Sequence, residues 1–257
     1  MTQEKKTKRK RLYAFLLCGA LLITGAFAFL TATTDTKTNT FTVGSIKVEL
    51  DEGPWKTYPD TDADGIPDIA EELVSGKVIE KAPLIRNTGS NDAYGFVLVS
   101  IPKAESAMIV NSDGTHPAAA SENVELFELL DAEGNNILTE GNLPAGWSQV
   151  DISAELSART DADQDSYNHY LFAYDTVIPG SASTAVEADR QTSTLFSKVR
   201  FANVTEDFAG ATAKELVVKV EVMAIQADSE INSVDSAWTA LSNDNDIQLP
   251  PVVKYGA

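Results

Sequence analysis

Apolar and polar side chains alternate along much of this chain, in short runs that are separated by turn-forming residues. The run at 41–50 alternates with one shift at Gly44-Ser45, which is typical of a β-bulge. The run at 215–226 alternates most regularly, and its apolar residues from Val218 to Ala224 fall on one face. Because successive side chains of a strand point to opposite faces of the sheet, both runs predict strands with one buried face.

Six further runs predict strands, at residues 77–86, 94–101, 124–130, 147–152, 167–178 and 194–204. The first two are predicted to form a hairpin, because the residues between them, 87–92 (NTGSND), are strongly turn-forming. The run at 124–130 (VELFELL) suits either a helix or a strand by composition. The strand is favoured, since residues 131–136 make a hairpin turn into Ile137-Leu138.

Short helices are predicted at residues 68–75 and 234–241, the first begun by acidic residues and ended by Gly76. Many short strands with little helix are typical of two antiparallel sheets packed face to face. We therefore predict a single all-β sandwich domain over residues 29–257. Its predicted parts include an extended N-terminal arm at 29–40, an acidic insertion at 58–72 and an extended tail at 242–257.

The first 28 residues have the pattern of an export signal. Six basic residues near the start precede an apolar segment at 12–23 that is too short for a stable membrane span. Small residues at Ala26 and Ala28 predict cleavage by a signal peptidase after Ala28, which makes Phe29 the first residue of the mature chain. An uncleaved membrane anchor is the alternative, because apolar residues continue past this site.

The charge and the cysteine content of the chain limit the classes of function that it can have. The leader holds six of the 20 Lys and Arg residues and one of the 38 Asp and Glu residues, which leaves 14 basic and 37 acidic residues and a net charge of −23 on the mature chain. Nucleic acid is therefore a poor partner, because its binding needs basic side chains that neutralise phosphates.

The only cysteine, Cys18, follows bulky Leu16 and Leu17, which disfavours lipidation. The mature chain then has no disulfide, so its fold outside the cell must be stabilised by packing, strand pairing or metal.

A calcium-loop motif stands at residues 60–71 (DTDADGIPDIAE). Loop positions one, three, five, nine and twelve are acidic and position six is glycine, as in the loop of EF-hands. A hard cation such as Ca²⁺ accepts several carboxylates together with a backbone carbonyl. An acidic loop exposed to solvent is the alternative. The predicted ligands are Asp60, Asp62, Asp64, the carbonyl of Ile66, Asp68 and Glu71.

A second acidic run, with Asp161, Asp163 and Asp165, repeats only the first half of this spacing. Ser166 replaces the glycine and Phe172 takes the place of the final acid. A solvated loop is therefore favoured there over a second calcium site.

Catalysis has little support in the sequence. The two histidines are His116, in a predicted loop, and His169, on a predicted strand. A zinc protease usually has two histidines one helical turn apart and a general-base glutamate, and no HExxH pattern is present. No serine lies in a nucleophile-elbow context. The sequence therefore favours a protein without enzymatic activity.

Residues 28–31 (AFLT), the polar run that follows, and residues 40–46 (TFTVGSI) resemble the leader and first strand of the TasA/camelysin family of exported Gram-positive proteins. Blocks at 87–94, 178–196 and 224–238 extend this resemblance over most of the mature chain. The resemblance implies a jelly-roll sandwich, processing by a SipW-type signal peptidase, and assembly into fibres by donor-strand exchange.

These features predict a secreted structural protein, a calcium-stabilised subunit of biofilm matrix fibres or surface filaments. The Thr-rich arm at 29–39, once freed by cleavage, would complete an open sheet edge of a second copy. The predicted partners are thus the protein itself and the peptidase, and the membrane is contacted only through the uncleaved signal segment. A camelysin-like metalloprotease instead predicts that His116 and His169 converge with carboxylates. A monomeric adhesin predicts that the arm folds back into its own sheet.

Overall fold

The computed structural model describes residues 31–34, 46–62, 67–71, 74–104, 124–157, 167–203 and 218–243. The chain divides after Leu30, and all of the described residues belong to the unit Thr31–Ala257, which is described here by itself.

The described residues form eleven β-strands. The strands are β1 Thr31–Thr34, β2 Val48–Asp51, β3 Val78–Glu80, β4 Leu84–Asn87, β5 Ala93–Ala104, β6 Val124–Glu125, β7 Phe127–Leu130, β8 Trp147–Val150, β9 Tyr167–Tyr174, β10 Lys198–Phe201 and β11 Lys219–Gln226. The helices are short: α1 Asp68–Glu71, α2 Ser153–Ser157 and α3 Val234–Ser242, with 3-10 helices at Gly53–Thr57 and Glu187–Asp189. The fold is therefore all-β, as predicted.

Every pairing between these strands is antiparallel. The largest sheet has the order β1-β11-β5-β9-β8, and β6 pairs with the far end of β5. A three-stranded sheet has the order β3-β10-β7, and a two-stranded sheet pairs β2 with β4. The predicted antiparallel sheets are confirmed, whereas the jelly-roll order of connections stays a prediction.

The central strand β5 is buried on both faces. Phe96 and Leu98 point to one face, where they join a cluster with residues of β9, β11 and α3, and the rings of Phe96 and Trp238 lie 5.9 Å apart. Gly95 points to the other face, where a Cβ atom would lie only 2.6 Å from Ile85 Cδ1 of β4. The largest sheet is thus sandwiched between α3 and the layer that contains β4.

Helix α3 begins at a well-formed cap. The hydroxyl of Ser233 accepts a hydrogen bond from the backbone N–H of Ser236 at 3.1 Å, and the side chain of Ser236 bonds back to the N-cap residue. This capping box satisfies N–H groups that have no partner within the helix. The helix predicted at 234–241 is confirmed, and Ser242, assigned to the extended tail by the sequence, is its last residue.

The predicted strand at 77–86 is in fact two strands that belong to different sheets, since β3 pairs with β10 and β4 pairs with β2. The break falls at residues 81–83. There the N–H of Lys81 donates to Ser197 and the N–H of Ala82 donates to Glu52, while Pro83 has no N–H to donate. The backbone therefore changes partners between the two strands.

The predicted hairpin of 77–86 with 94–101 is wrong. Strand β4 does not pair with β5, whose partners are β11 and β9. Instead, residues 88–92 carry the chain from one layer to the other. The buried side chain of Asn87 holds this crossing, since its amide donates to the carbonyl oxygens of Asn91 at 2.8 Å and Ile178 at 3.0 Å.

The run at 124–130 is strand rather than helix, as predicted, but Leu126 divides it into β6 and β7. The turn after it is present, with Leu130 bridged to Asn136, although Ile137 and Leu138 form no strand.

The helix predicted at 68–75 is observed at Asp68–Glu71, and residues 74–76 are not helical. Helix α2 was not predicted. The remaining predicted strands are confirmed by β2, β5, β8, β9, β10 and β11, with different ends.

Candidate functional site

Strand β1 is the outermost strand of the largest sheet. It runs antiparallel to β11, with Thr31 opposite Ile225 and Thr34 opposite Val222. The chain segment that follows the predicted cleavage site is therefore a strand of its own sheet, and β11 lies between β1 and β5. This is the arrangement that the monomeric alternative predicts. The other residues of the predicted arm, 29–30 and 35–40, lie outside the described residues.

Strand β11 is apolar and buried along most of its length, since residues 220–225 are all buried. Its inner edge pairs with β5 from Lys219 to Gln226, whereas β1 pairs only with the four residues from Val222 to Ile225. If β1 left, the N–H and C=O groups of this stretch that face β1 would form an open sheet edge, which is a template for another strand.

The place occupied by β1 is bounded by a second sheet. Strand β2, which pairs with β4, lies close to both β1 and β11. Any strand that takes this place therefore pairs with β11 and also meets β2. We call this place, defined by Val222–Ile225 of β11 and by β2, the β1 groove.

The acidic loop is held closed by Asp68, which begins α1. Its carboxylate accepts hydrogen bonds from the hydroxyl of Thr61 at 2.6 Å and from the backbone N–H of Thr61 at 2.8 Å. The N–H of Asp68 donates to the carbonyl oxygen of Pro59 at 2.9 Å. Positions two and nine of the predicted calcium loop thus lie side by side. The Thr61 side-chain and backbone hydrogen bonds hold the pKa of Asp68 below its ordinary value of 3.8.

The predicted calcium ligands are only partly described. Asp60, Asp62 and Asp68 are placed, Asp64 and Ile66 lie outside the described residues, and of Glu71 only the backbone is described. Within the described residues, no group of three or more His, Cys, Asp or Glu side chains is arranged to hold a metal ion. The calcium site therefore stays a prediction. Residues 161–165 also lie outside the described residues.

His169, on β9, forms a hydrogen bond through Nδ1 with the hydroxyl of Ser100 on β5, at 2.8 Å. The two residues are opposite each other in the register of the strands, and Ser100 is only 2% exposed. The imidazole ring of His169 stacks on the ring of Tyr167, with 6.3 Å between the ring centres. The sequence did not single out Ser100, whose signal is a lone polar residue within the apolar run YGFVLVSI.

The carboxylate of Glu125 bonds to side chains on the opposite face of β9. Glu125 of β6 accepts hydrogen bonds from the amide of Asn168 at 2.9 Å and from the hydroxyl of Tyr170. Asn168 and Tyr170 alternate with His169 along β9, so their side chains point away from His169. Glu125 therefore does not complete a Ser-His-acid arrangement with Ser100. His116, the other histidine, lies outside the described residues.

Comparison with known proteins identifies no relative: no family model, no curated protein and no solved structure matches this chain. None of the described helices has the length and apolar character that crossing a membrane requires. The function has to be inferred from the residues themselves.

Proposed function

We propose that this protein is an exported structural subunit without enzymatic activity, which assembles into fibres of a biofilm matrix or cell surface by donating its N-terminal strand to the next copy. The observation that supports this proposal most is the pairing of Thr31–Thr34 with Val222–Ile225. It puts a short strand, separated from the predicted cleavage site only by Phe29 and Leu30, on the outer edge of an otherwise buried strand.

Exchange between copies uses the same backbone groups as pairing within one chain. The N–H and C=O groups in residues 222–225 that face β1 bond equally well to a strand from the same chain or from a neighbour, since the sequence is identical. Each backbone hydrogen bond contributes only about 1 kcal/mol net, so a four-residue strand opens without unfolding the sandwich. Strand β1 is thus suited to leave one groove and enter another.

Head-to-tail donation produces a filament rather than a closed dimer. Each copy gives β1 at one place and receives a strand in its β1 groove, so every added copy presents a new open groove unless the rotation closes a ring. Backbone pairing supplies the affinity, as in other cases of strand addition to a sheet edge. Release of the donor strand is controlled by cleavage after Ala28 by the SipW-type peptidase.

Calcium is proposed to stabilise the subunit at the acidic loop. The loop follows β2 and precedes β3, so it connects the strand beside the β1 groove with the three-stranded sheet. The hydrogen bonds of Asp68 to Thr61 already hold positions two and nine of the predicted loop together. A bound cation would also reduce the self-repulsion of a chain with a net charge of −23.

A monomeric surface adhesin is the second candidate. The observation that favours it is the same pairing of β1 within one chain, because a strand that never leaves its own groove gives a stable monomer. The two candidates differ in whether β1 exchanges, and concentration-dependent assembly of the purified mature protein distinguishes them.

The metalloprotease alternative has less support. It requires His116 and His169 to meet, and the described partner of His169 Nδ1 is the buried hydroxyl of Ser100. Purified protein is expected to lack proteolytic activity. Proteolysis that is lost in His169→Ala, with the fold retained, would establish the protease in place of the fibre subunit.

The experiment is electron microscopy and light scattering of the mature protein and of a variant that lacks residues 29–39. The wild type is expected to form filaments, and the truncated chain is expected to fold and stay monomeric. Successive N–H groups of a strand point to opposite edges, so one of the two variants Ala32→Pro and Thr33→Pro removes an N–H that bonds to β11, and that variant should slow assembly. Thr38→Pro, beyond β1, is the matched control. Filaments of normal appearance from the truncated chain would contradict the proposal.

A further inference from the structure

A lysine and a glutamate meet in a buried position between β2 and β4. The Nζ atom of Lys81 lies 2.5 Å from Oε1 of Glu52, and the side chains are only 5% and 12% exposed. The same Nζ atom lies over the ring of Trp55, 4.0 Å from its centre. Lysine side chains are rarely buried this deeply, and Lys81 is the only buried lysine among the described residues.

The backbone fixes both side chains. Glu52 directly follows β2 and Lys81 comes shortly before β4, and these strands pair from Val48 to Asp51. The N–H of Ala82 donates to the carbonyl oxygen of Glu52 at 3.1 Å. Gly53, with φ of +58°, allows a close approach, since a Cβ atom there would lie 3.1 Å from Cβ of Ala82. The two reacting groups are therefore held together by paired main chain.

We propose that Lys81 and Glu52 condense into an isopeptide bond in the folded protein. The new bond joins Nζ of Lys81 to Cδ of Glu52. The side-chain carboxyl group loses its OH, the amine loses one hydrogen, and one water molecule is released. No oxidant, reductant or cofactor takes part.

The site favours each step of this reaction. Burial lowers the pKa of Lys81, although the neighbouring Glu52 carboxylate opposes this change. Transfer of one proton from the ammonium to the carboxylate then gives both a neutral amine, which is the nucleophile, and a carboxylic acid, whose carbon it attacks. Well-oriented groups within one molecule reach effective concentrations of about 10⁵–10⁸ M, which favours condensation over hydrolysis. Amide formation also removes two buried charges, whose desolvation is costly.

The bond would act as a covalent brace. It closes the segment 53–80, which includes the acidic loop, and so reduces the entropy of the unfolded chain as a disulfide does. The mature chain has no cysteine for a disulfide, because the single Cys18 lies in the predicted leader. This inference does not depend on fibre assembly.

The test measures the intact mass of the purified, folded protein. This mass is compared with the mass calculated for the unmodified chain that begins at the N-terminal residue found in the sample. The mass is expected to be lower by one water molecule, and fragmentation of a protease digest should give a branched peptide that joins residues 52 and 81. Lys81→Arg should restore the full mass. Lys56→Arg is the matched control, because Lys56 is an exposed lysine that lies 3.9 Å from Asp51, and this variant should keep the loss.

The full calculated mass for folded wild-type protein, with Lys81 and Glu52 found in separate unmodified peptides, would overturn the proposal and leave an ion pair. A mass loss that persists in Lys81→Arg would also overturn it, since the bond would then lie elsewhere. Because the wild-type measurement decides the matter, a variant that fails to fold does not weaken the test.

Discussion

Ala32 of β1 lies directly opposite Ala224 of β11, in an antiparallel register that continues to Thr33 and Met223. Ala224 is fully buried, and its strand pairs with β5 on the other side. The polar segment that follows the predicted leader thus lies against one of the most buried strands of the fold. In the proposed function, a strand that follows the predicted cleavage site and covers a buried strand would connect export with assembly.

Cleavage is expected between Ala28 and Phe29, because Ala26 and Ala28 are small enough for the binding pockets of a signal peptidase. This position leaves only Phe29 and Leu30 before β1. Mass spectrometry of the secreted protein should find Phe29 as the first residue. A secreted form that still contains Arg11 would show that the leader is retained.

Free calcium is expected to raise the melting temperature of the mature protein. Binding to the folded state alone stabilises by about 2.7 kcal/mol when free calcium is 100 times Kd. For a domain of this size, each kcal/mol corresponds to about 2–4 °C. The double variant Asp62→Ala, Asp64→Ala should lose the shift, and Asp161→Ala, Asp163→Ala is the control that should keep it. Equal shifts in wild type and in the first double variant would exclude the loop as the site.

The pKa of Asp68 is expected to rise towards 3.8 in Thr61→Val, which removes the hydroxyl donor at 2.6 Å. The hydrogen bonds favour the ionised carboxylate, so the folded pKa lies below the unfolded one. Their stabilisation is present above pH 3.8 and is lost as the pH falls through the folded pKa. Carboxyl NMR titration without calcium measures the change. Thr57→Val, whose hydroxyl donates to Pro54, should leave Asp68 unchanged.

Asn87→Ala is expected to lower the free energy of unfolding by about 2–3 kcal/mol, because buried partners lose their hydrogen bonds. The side chain donates to two carbonyl oxygens and accepts from the N–H of Gly89 at 3.0 Å. Asn142→Ala removes one bond, to the carbonyl oxygen of Asn136, from a half-buried residue, and should cost about 1 kcal/mol or less. Urea unfolding measures both. A similar loss in the two variants would show that the crossing at 88–92 does not depend on Asn87.

Local patterns were sufficient to predict many of the elements. The alternation in the run at 215–226 predicted a strand, and β11 is found there, although residues 220–225 are buried on both faces rather than on one. Helix α3 is found where a helix was predicted at 234–241. The partners of a strand were harder to predict, because pairing depends on residues distant in sequence. Residues 87–92 have the composition of a hairpin turn, yet the bond from Asn87 to Ile178 directs the chain to another layer.

In the candidate sites, too, local features could be predicted from the sequence, whereas contacts between distant residues could not. The spacing of acidic residues at 60–71 is a local signal and was read from the sequence, but the bonds between Thr61 and Asp68 depend on the closed loop. Strand β1 has the sequence TATT, which lacks apolar alternation, so nothing in it indicated a fixed partner. Its partner β11 is at the other end of the chain. The buried pair of Lys81 and Glu52 likewise depends on the pairing of β2 with β4.

The most direct test of strand donation mixes two single-cysteine variants of the mature protein, Ala32→Cys and Ala224→Cys. Paired residues of antiparallel strands have Cα atoms about 4.5 or 5.5 Å apart, which suits a disulfide. Neither variant can form this bond within one chain, so a bond between residues 32 and 224 requires donation from one copy to another. Ala32→Cys alone is the control for incidental dimers.

The variants are mixed under reducing conditions, assembled into filaments and then oxidised. Donation predicts a cross-linked dimer on a non-reducing gel, with a disulfide-linked peptide that joins residues 32 and 224. Filaments assembled from a double variant that carries both cysteines should give, after oxidation, a ladder of cross-linked dimers, trimers and larger multimers on the gel. Filaments that yield only monomers in the mixture, and only an intrachain bridge in the double variant, would contradict strand donation and establish that β1 stays in its own groove.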